Sequence, residues 1–167
     1  LLLVSLCICS ATSIFIISGS MKEDSEREMM YSVKLIEYNL DYAKDLNTQI
    51  ETLNPLAFSD DTRISVIDEK GQVLADTYKN DISSNHLKRE EVQQALHSSN
   101  HEGYAMRRSE TTNQPLLYAA YYKDNHIIRL SIPYSGVWGY FPELAPAFAI
   151  SILISILSVS YTHLTLP

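Results

Sequence analysis

The sequence predicts an α+β protein: a long N-terminal helix packed on a five-stranded antiparallel sheet, with a membrane helix on either side. Three observations carry that expectation. All 13 Lys and Arg and all 20 Asp and Glu of the 167 residues lie between Lys22 and Glu143, which leaves two uncharged apolar ends. Residues 22–53 hold no Gly or Pro and keep helical apolar spacing until Asn54-Pro55. Beyond Pro55 the chain breaks into short alternating runs bounded by Gly, Asn, Asp and Ser, as strands and turns do.

About 20 apolar residues cross a bilayer as a helix. Residues 1–20 (LLLVSLCICSATSIFIISGS) meet that length and read as the first membrane helix. A signal peptide is the alternative, but the segment shows no basic start and no small-x-small cleavage site. Leu6 before Cys7 and Ile8 before Cys9 also argue against a lipid-modified cysteine. The second apolar segment, residues 144–160, is short for a span, and Tyr134, Trp138 and Tyr140 ahead of it suit the membrane interface. Residues 161–167 (YTHLTLP) lose that character abruptly and read as a non-native, adapter-like tail. With no initiator Met, both ends read as those of a fragment. Residues 21–143 are then one extracytoplasmic domain.

Within helix 22–53, Met29, Val33, Ile36, Leu40, Ala43, Asn47 and Ile50 alternate spacings of four and three, which is a heptad seam with one polar member. A second row, Tyr31, Leu35, Tyr38, Tyr42 and Leu46, is offset by two residues and lies roughly opposite. A helix apolar on two sides must be covered on both. One row can lie on the domain's own sheet and the other can meet a partner. The heptad row predicts a homodimer through this helix, with Asn47 fixing register; the alternative is a single helix wedged deep in one domain.

The sheet domain spans residues 62–135. Runs 63–68 (RISVID) and 72–76 (QVLAD) form a hairpin, with Gly71 at its left-handed turn position. A polar loop follows over residues 77–87, then a short helix over 88–97 with Val92, Ala95 and Leu96 on one face. Runs 103–109, 115–122 and 126–133 complete the sheet, the last two joined by a tight turn at Lys123-Asp124-Asn125.

That order fits a PAS or Cache kind of sheet. The residues also resemble the single-Cache-like extracytoplasmic sensor of bacterial sensor histidine kinases, especially the phosphate-responsive type of Gram-positive bacteria. The resemblance rests on Val73-Leu74-Ala75-Asp76, Asn85-His86, Arg89, Glu91-Val92, Ala95-Leu96, Arg108-Ser109, Leu117-Tyr118-Ala119 and Ile128-Arg129-Leu130-Ser131-Ile132-Pro133. It covers residues 62–135 and the flanking apolar segments. The family usually has Pro before the Glu-Val pair, where this chain has Glu90. The resemblance implies a multi-pass bacterial cell-membrane protein that supplies signal input to a two-component system. It implies no enzymatic activity and no cofactor in this stretch. The parent would be an autophosphorylating kinase using ATP and Mg and acting on a response regulator.

A net charge of −7 speaks against nucleic acid and anionic lipid surfaces. The polar domain has no Cys, and His86, His97, His101 and His126 lack paired ligand spacing, so no metal is expected. The acidic pairs Asp60-Asp61, Asp68-Glu69 and Glu90-Glu91 read as solvated turns and helix starts, and no catalytic residues are expected. No Gly-x-Ser-x-Gly elbow or phosphate-cradling loop occurs. What remains is binding of an unknown small ligand or a protein partner. Alternation sends Tyr104, Met106 and Arg108 to one side of their strand and Ala105, Arg107 and Ser109 to the other. Arg108, Tyr118 and Arg129 are the expected ligand contacts, since a guanidinium fork suits carboxylate or phosphate. Alternatively these arginines lie on the exposed face or pair with Asp76 or Glu102. Asn85-His86 either caps the short helix or binds ligand. The double-Cache amino-acid signature, Arg followed closely by Trp-Tyr, is absent. A chemoreceptor or cyclic-dinucleotide enzyme could use the same input domain, as could an anchored protein-interaction module. An extracellular enzyme has least support.

Overall fold

The helix that begins in the first apolar segment runs on into the charged stretch: α1 spans Leu2–Asn39 in the computed structural model. Residues 2–59, 61–78, 85–109 and 113–165 are described. Parts of the acidic pair at 60–61 and of the loop at 77–87 lie outside them. The chain divides into two compact units, Gly19–Tyr134 and residues 1–18 with 135–167.

Helix 22–53 is interrupted, contrary to the sequence expectation. After α1 the backbone turns through residues 40–45 and restarts as α2, Leu46–Leu53. Asp45 caps α2, its carboxylate accepting from Thr48 N at 3.0 Å and Thr48 Oγ1 at 2.5 Å. Asp41 accepts from Ala43 N at 3.1 Å. Gln49 reaches back to the same turn, accepting from Asp41 N and donating to Asp41 O, each at 2.8 Å. These short side chains satisfy the backbone groups that a continuing helix would have used.

Strands β1 (Arg63–Asp68) and β2 (Val73–Asp76) form the first hairpin, and Gly71 has φ +82 at its turn. Helix α3 spans Glu90–His97. Strands β3 (Glu102–Arg108), β4 (Pro115–Lys123) and β5 (His126–Pro133) follow. All pairings are antiparallel in the order β2-β1-β5-β4-β3. Asp124 and Asn125, with φ 48 and 66, make the β4–β5 turn.

One sheet face carries Ile64, Val66, Ala75, Leu117, Ala119, Ile128, Leu130 and Ile132, all buried against Met29, Met30, Val33, Ile36 and Ile50 of α1 and α2. Much of the heptad row thus belongs to the domain's own core: Met29, Val33, Ile36 and Ile50 are fully buried and Leu40 packs against them. Asn47 is half-buried on α2, and Ala43 is exposed in the turn. Tyr31, Leu35 and Tyr38 of the second row stay exposed, while Tyr42 and Leu46, past the interruption, pack inward. The change of direction at residues 40–45 is what splits that row.

In the other unit, a short 3₁₀ turn (Gly136–Tyr140) leads into α4, Phe141–Thr165. Among the described residues one helix, Trp138–Tyr161, is long and apolar enough to cross a membrane, with 24 residues and a mean hydropathy of 2.0. Trp138 stacks on Phe141 with ring centroids 5.0 Å apart.

Candidate functional site

The opposite face of the sheet lies under α3 and is built differently. Val92, Ala95 and half-buried Leu96 of α3 meet Ile67, Val73, Ala120 and Ile127 in a small apolar cluster. The helix lies very close to β3 because residue 103 is glycine: a Cβ there would stand 1.9 Å from Glu91 O and 2.7 Å from Ala95 N. That close approach puts the first turn of α3 directly over the strands.

Side by side with the apolar cluster lies a patch of buried charge, assembled by register. Ser65 of β1 pairs with Asp76 of β2 and with Arg129 of β5. Arg129 also pairs with Ala120 of β4, and Tyr118 of β4 pairs with Ala105 of β3, two residues before Arg107. Since alternate residues share a face, Ser65, Asp76, Arg129, Tyr118 and Arg107 converge. Glu91 from α3 completes the group with no exposed surface.

The Glu91 carboxylate accepts two bonds from Arg107, Nη1 to Oε2 at 2.6 Å and Nη2 to Oε1 at 3.1 Å. Arg129, 3% exposed, reaches the same Oε1 with Nη1 at 3.5 Å and Ser65 Oγ with Nη2 at 3.3 Å. Its Nε has no hydrogen-bond partner among the described residues. Ser65 Oγ donates to Asp76 at 2.7 Å, and Asp76 is gripped by Arg63, whose Nε lies 2.9 Å from Oδ1 and Nη2 3.0 Å from Oδ2. The Tyr118 ring lies beneath both central arginines, its centroid 3.7 Å from the Arg107 guanidinium carbon and 5.5 Å from that of Arg129.

Three guanidiniums therefore face two carboxylates. Burial pushes the Glu91 carboxyl up, but the Arg107 and Arg129 guanidiniums outweigh it and hold the group below its ordinary value. For Arg129, burial and the like charges of Arg63 and Arg107 together pull the pKa down against the attraction of Glu91. Arg129 is the charge least well met.

Of the three expected contacts, the structure brings Tyr118 and Arg129 together and places Arg108 elsewhere. Arg108 is exposed, turned to the face of Tyr104, and donates to Asn113 O at 3.0 Å. Arg107 takes the place beside Arg129. Sequence reading missed Glu91, read as part of a solvated helix start, although Ala95 four residues on and Val92 beside it mark that side as buried. Neither Asn85 nor His86 caps α3, whose N-cap is Arg89 without a side-chain bond. Asn85 instead ties the β1–β2 turn to the loop, donating to Lys70 O at 2.8 Å and accepting from Leu87 N at 2.9 Å.

Away from this cluster, a concavity of about 340 Å³ lies between α1 and β3 and includes Glu26, Lys34, Glu102 and Tyr104 in its walls. Its charges largely satisfy one another, with Lys34 2.6 Å and the Tyr104 hydroxyl 3.1 Å from Glu102, and Lys22 3.4 Å from Glu26.

Neither a family model nor a curated protein matches the sequence. The fold is shared with solved structures. The ligand-binding domain of the Campylobacter jejuni chemoreceptor Tlp3, in complex with L-valine, is 17% identical with a TM-score of 0.52, covering 78% of this chain and 61% of that one. A methyl-accepting chemotaxis protein from Vibrio parahaemolyticus is 18% identical with a TM-score of 0.51, covering 74% and 97%. The Bacillus subtilis YkuI protein, with an EAL domain and in complex with c-di-GMP and calcium, is 16% identical with a TM-score of 0.52, covering 78% and 36%. The chain thus spans about a third of YkuI and under two thirds of the Tlp3 domain. At such identities the likeness establishes a shared α+β fold and nothing finer.

Proposed function

We propose that the chain is the signal-input part of a membrane-bound two-component sensor histidine kinase, of the phosphate-responsive type that its sequence resembles. The observation that carries the reading is the Glu91–Arg107–Arg129–Tyr118 group, in which Arg107 is half-buried and the other three are buried. It lies under a short helix, on a fold also used by chemoreceptor ligand-binding domains. A purely structural domain gains little from five charges on one covered face, because desolvation offsets most of their attraction. A sensor gains a polar site whose occupancy can bias a helix.

In this reading both apolar segments span the bacterial cell membrane, residues 22–143 face outward, and the stimulus shifts helices in a homodimer. The exposed stripe Tyr31, Leu35 and Tyr38 is the dimer contact, since the Met29 row is used internally. The output kinase, its ATP and Mg, and its response regulator belong to the parent protein.

Topology is tested by Ser99→Cys in a Cys7→Ser/Cys9→Ser background. An impermeant maleimide should label it in intact cells, and protection until lysis would reverse the orientation. Function is tested by fusing residues 1–160 to the cytoplasmic half of a known histidine kinase. Arg107→Ala and Arg129→Ala should shift reporter output without loss of membrane level, and unchanged output from both would remove the sensory reading. The likeness to chemoreceptor domains favours a second reading, input to a chemoreceptor. Gene sequence downstream separates the two: a His-bearing dimerisation helix means kinase, a long methylatable coiled coil chemoreceptor.

A further inference from the structure

The fork formed by Arg107 and Arg129 already holds a carboxylate, and that carboxylate belongs to the protein. Glu91 is tethered to α3, and the tether costs it geometry. It meets Arg107 at 2.6 and 3.1 Å but Arg129 only at 3.5 Å, leaving Arg129 Nε unpartnered inside the domain. A free carboxylate in the same place is under no such constraint and can sit centrally between the two guanidiniums. Charge-assisted bonds of this kind prefer about 2.7–2.9 Å.

The element carrying Glu91 is suited to release it. Helix α3 has eight residues, no side-chain cap at its start, and three buried residues, Glu91 itself among them. Isolated helices of that length are marginal, so its position depends on those contacts. The site also has a defined shape. The Arg107 guanidinium carbon stands 3.7 Å from the Tyr118 ring centroid, and its Nη1 and Nη2 each meet a different oxygen of one carboxylate, the arrangement that suits a flat, two-oxygen acceptor.

We propose that Glu91 is an internal stand-in for a small diffusible carboxylate, which takes its place on Arg107 and Arg129 and so frees the first turn of α3 from the sheet. The proposal rests on the sensory reading above and names its ligand class and its moving part. No covalent change is involved. One carboxylate replaces another, and the net charge of the cluster stays the same while Arg129 gains a better-placed partner.

The test uses the full chain in detergent, with acetate as the probe at ionic strength held constant by sodium chloride. Wild type, Glu91→Ala and Glu91→Gln are compared by thermal unfolding and by hydrogen exchange of residues 90–97. If Glu91 occupies the fork most of the time, removing it raises apparent acetate affinity about tenfold or more, because competition ends. Acetate should raise the melting temperature of Glu91→Ala at concentrations that leave wild type unmoved. The added Arg129→Met change should abolish that gain. At saturating acetate, wild-type amides at 90–97 should exchange faster. Glu91→Gln, which keeps the side chain's volume, carries the same expectation if the alanine variant does not fold. Equal acetate response in all three chains would overturn the proposal, as would acetate binding to wild type with no change at 90–97. A stronger response to phosphate than to acetate would overturn the ligand class. A kinase fusion that signals normally with no acetate effect would sink the exchange and leave the sensory reading. Acetate binding in a fusion blind to these variants would do the reverse.

Discussion

Ile128 and Arg129 are consecutive residues of β5, both shielded from solvent, and they point to opposite faces of one sheet. Ile128 is fully buried among aliphatic side chains under α1 and α2. Arg129 is 3% exposed under α3, with contacts at 3.3 and 3.5 Å and an unpartnered Nε. The first face spends its burial on removing apolar surface from water, about 25 cal/mol per Å². The second encloses charges whose attraction hardly exceeds their lost hydration. One face sets how firmly the domain holds together. The other is retained for what it can bind.

The largest effect should come from damage to the apolar face. Ile128→Ala should lose about 2–5 kcal/mol in urea unfolding, through lost transfer energy and a residual cavity. A loss below about 1 kcal/mol would mean that this face is not the core.

On the polar face, Glu91→Gln should cost about 1.5–3 kcal/mol near neutral pH, the usual loss for bonds to a charged group. Its pH dependence gives a sharper test. The folded Glu91 pKa lies below the unfolded value of about 4.3, so its stabilisation is full above that value and is lost as pH falls through the folded pKa. The gap between wild type and Glu91→Gln should therefore be constant above about pH 5 and close in acid. A gap that widens in acid would reverse the assigned direction.

Gly103→Ala should cost about 1–3 kcal/mol, because its Cβ meets the α3 backbone rather than a flexible side chain. It should also lift α3 and speed exchange at residues 90–97, leaving the α1 face protected.

How much of this was legible follows the same division. The face of Ile64, Val66, Leu117, Ile128 and Leu130 announces itself by period-2 alternation, and β1 and β5 stand where that pattern put them. The polar face is set by register, by β1 lying against β5 rather than a neighbour in sequence, and by a glycine that lets a helix approach. Alternation correctly separated Arg107 from Arg108 but could not say which side α3 would cover. The break at residues 40–45 was readable from Asp41 and Asp45, each short enough to bond the nearby backbone, yet the heptad spacing ran across it unbroken. Charged substitution of Leu35 sharpens that point. Leu35→Lys should change stability by less than about 0.5 kcal/mol, as exposed sites do, while lowering self-association in sedimentation. Ile36→Lys should unfold the domain.

A change confined to the polar face decides between the two roles. Arg129→Met removes the excess positive charge and leaves Glu91 on Arg107 and Asp76 on Arg63. Replacing a whole buried ion pair by well-packed apolar groups is often neutral or stabilising, and losing one partner is costly only where the other charge is left unpaired; here both carboxylates keep an arginine. Urea unfolding should therefore place Arg129→Met within about 1 kcal/mol of wild type, or above it. A loss as large as that of Ile128→Ala would show that both faces serve stability alike, and would contradict a polar face kept for binding.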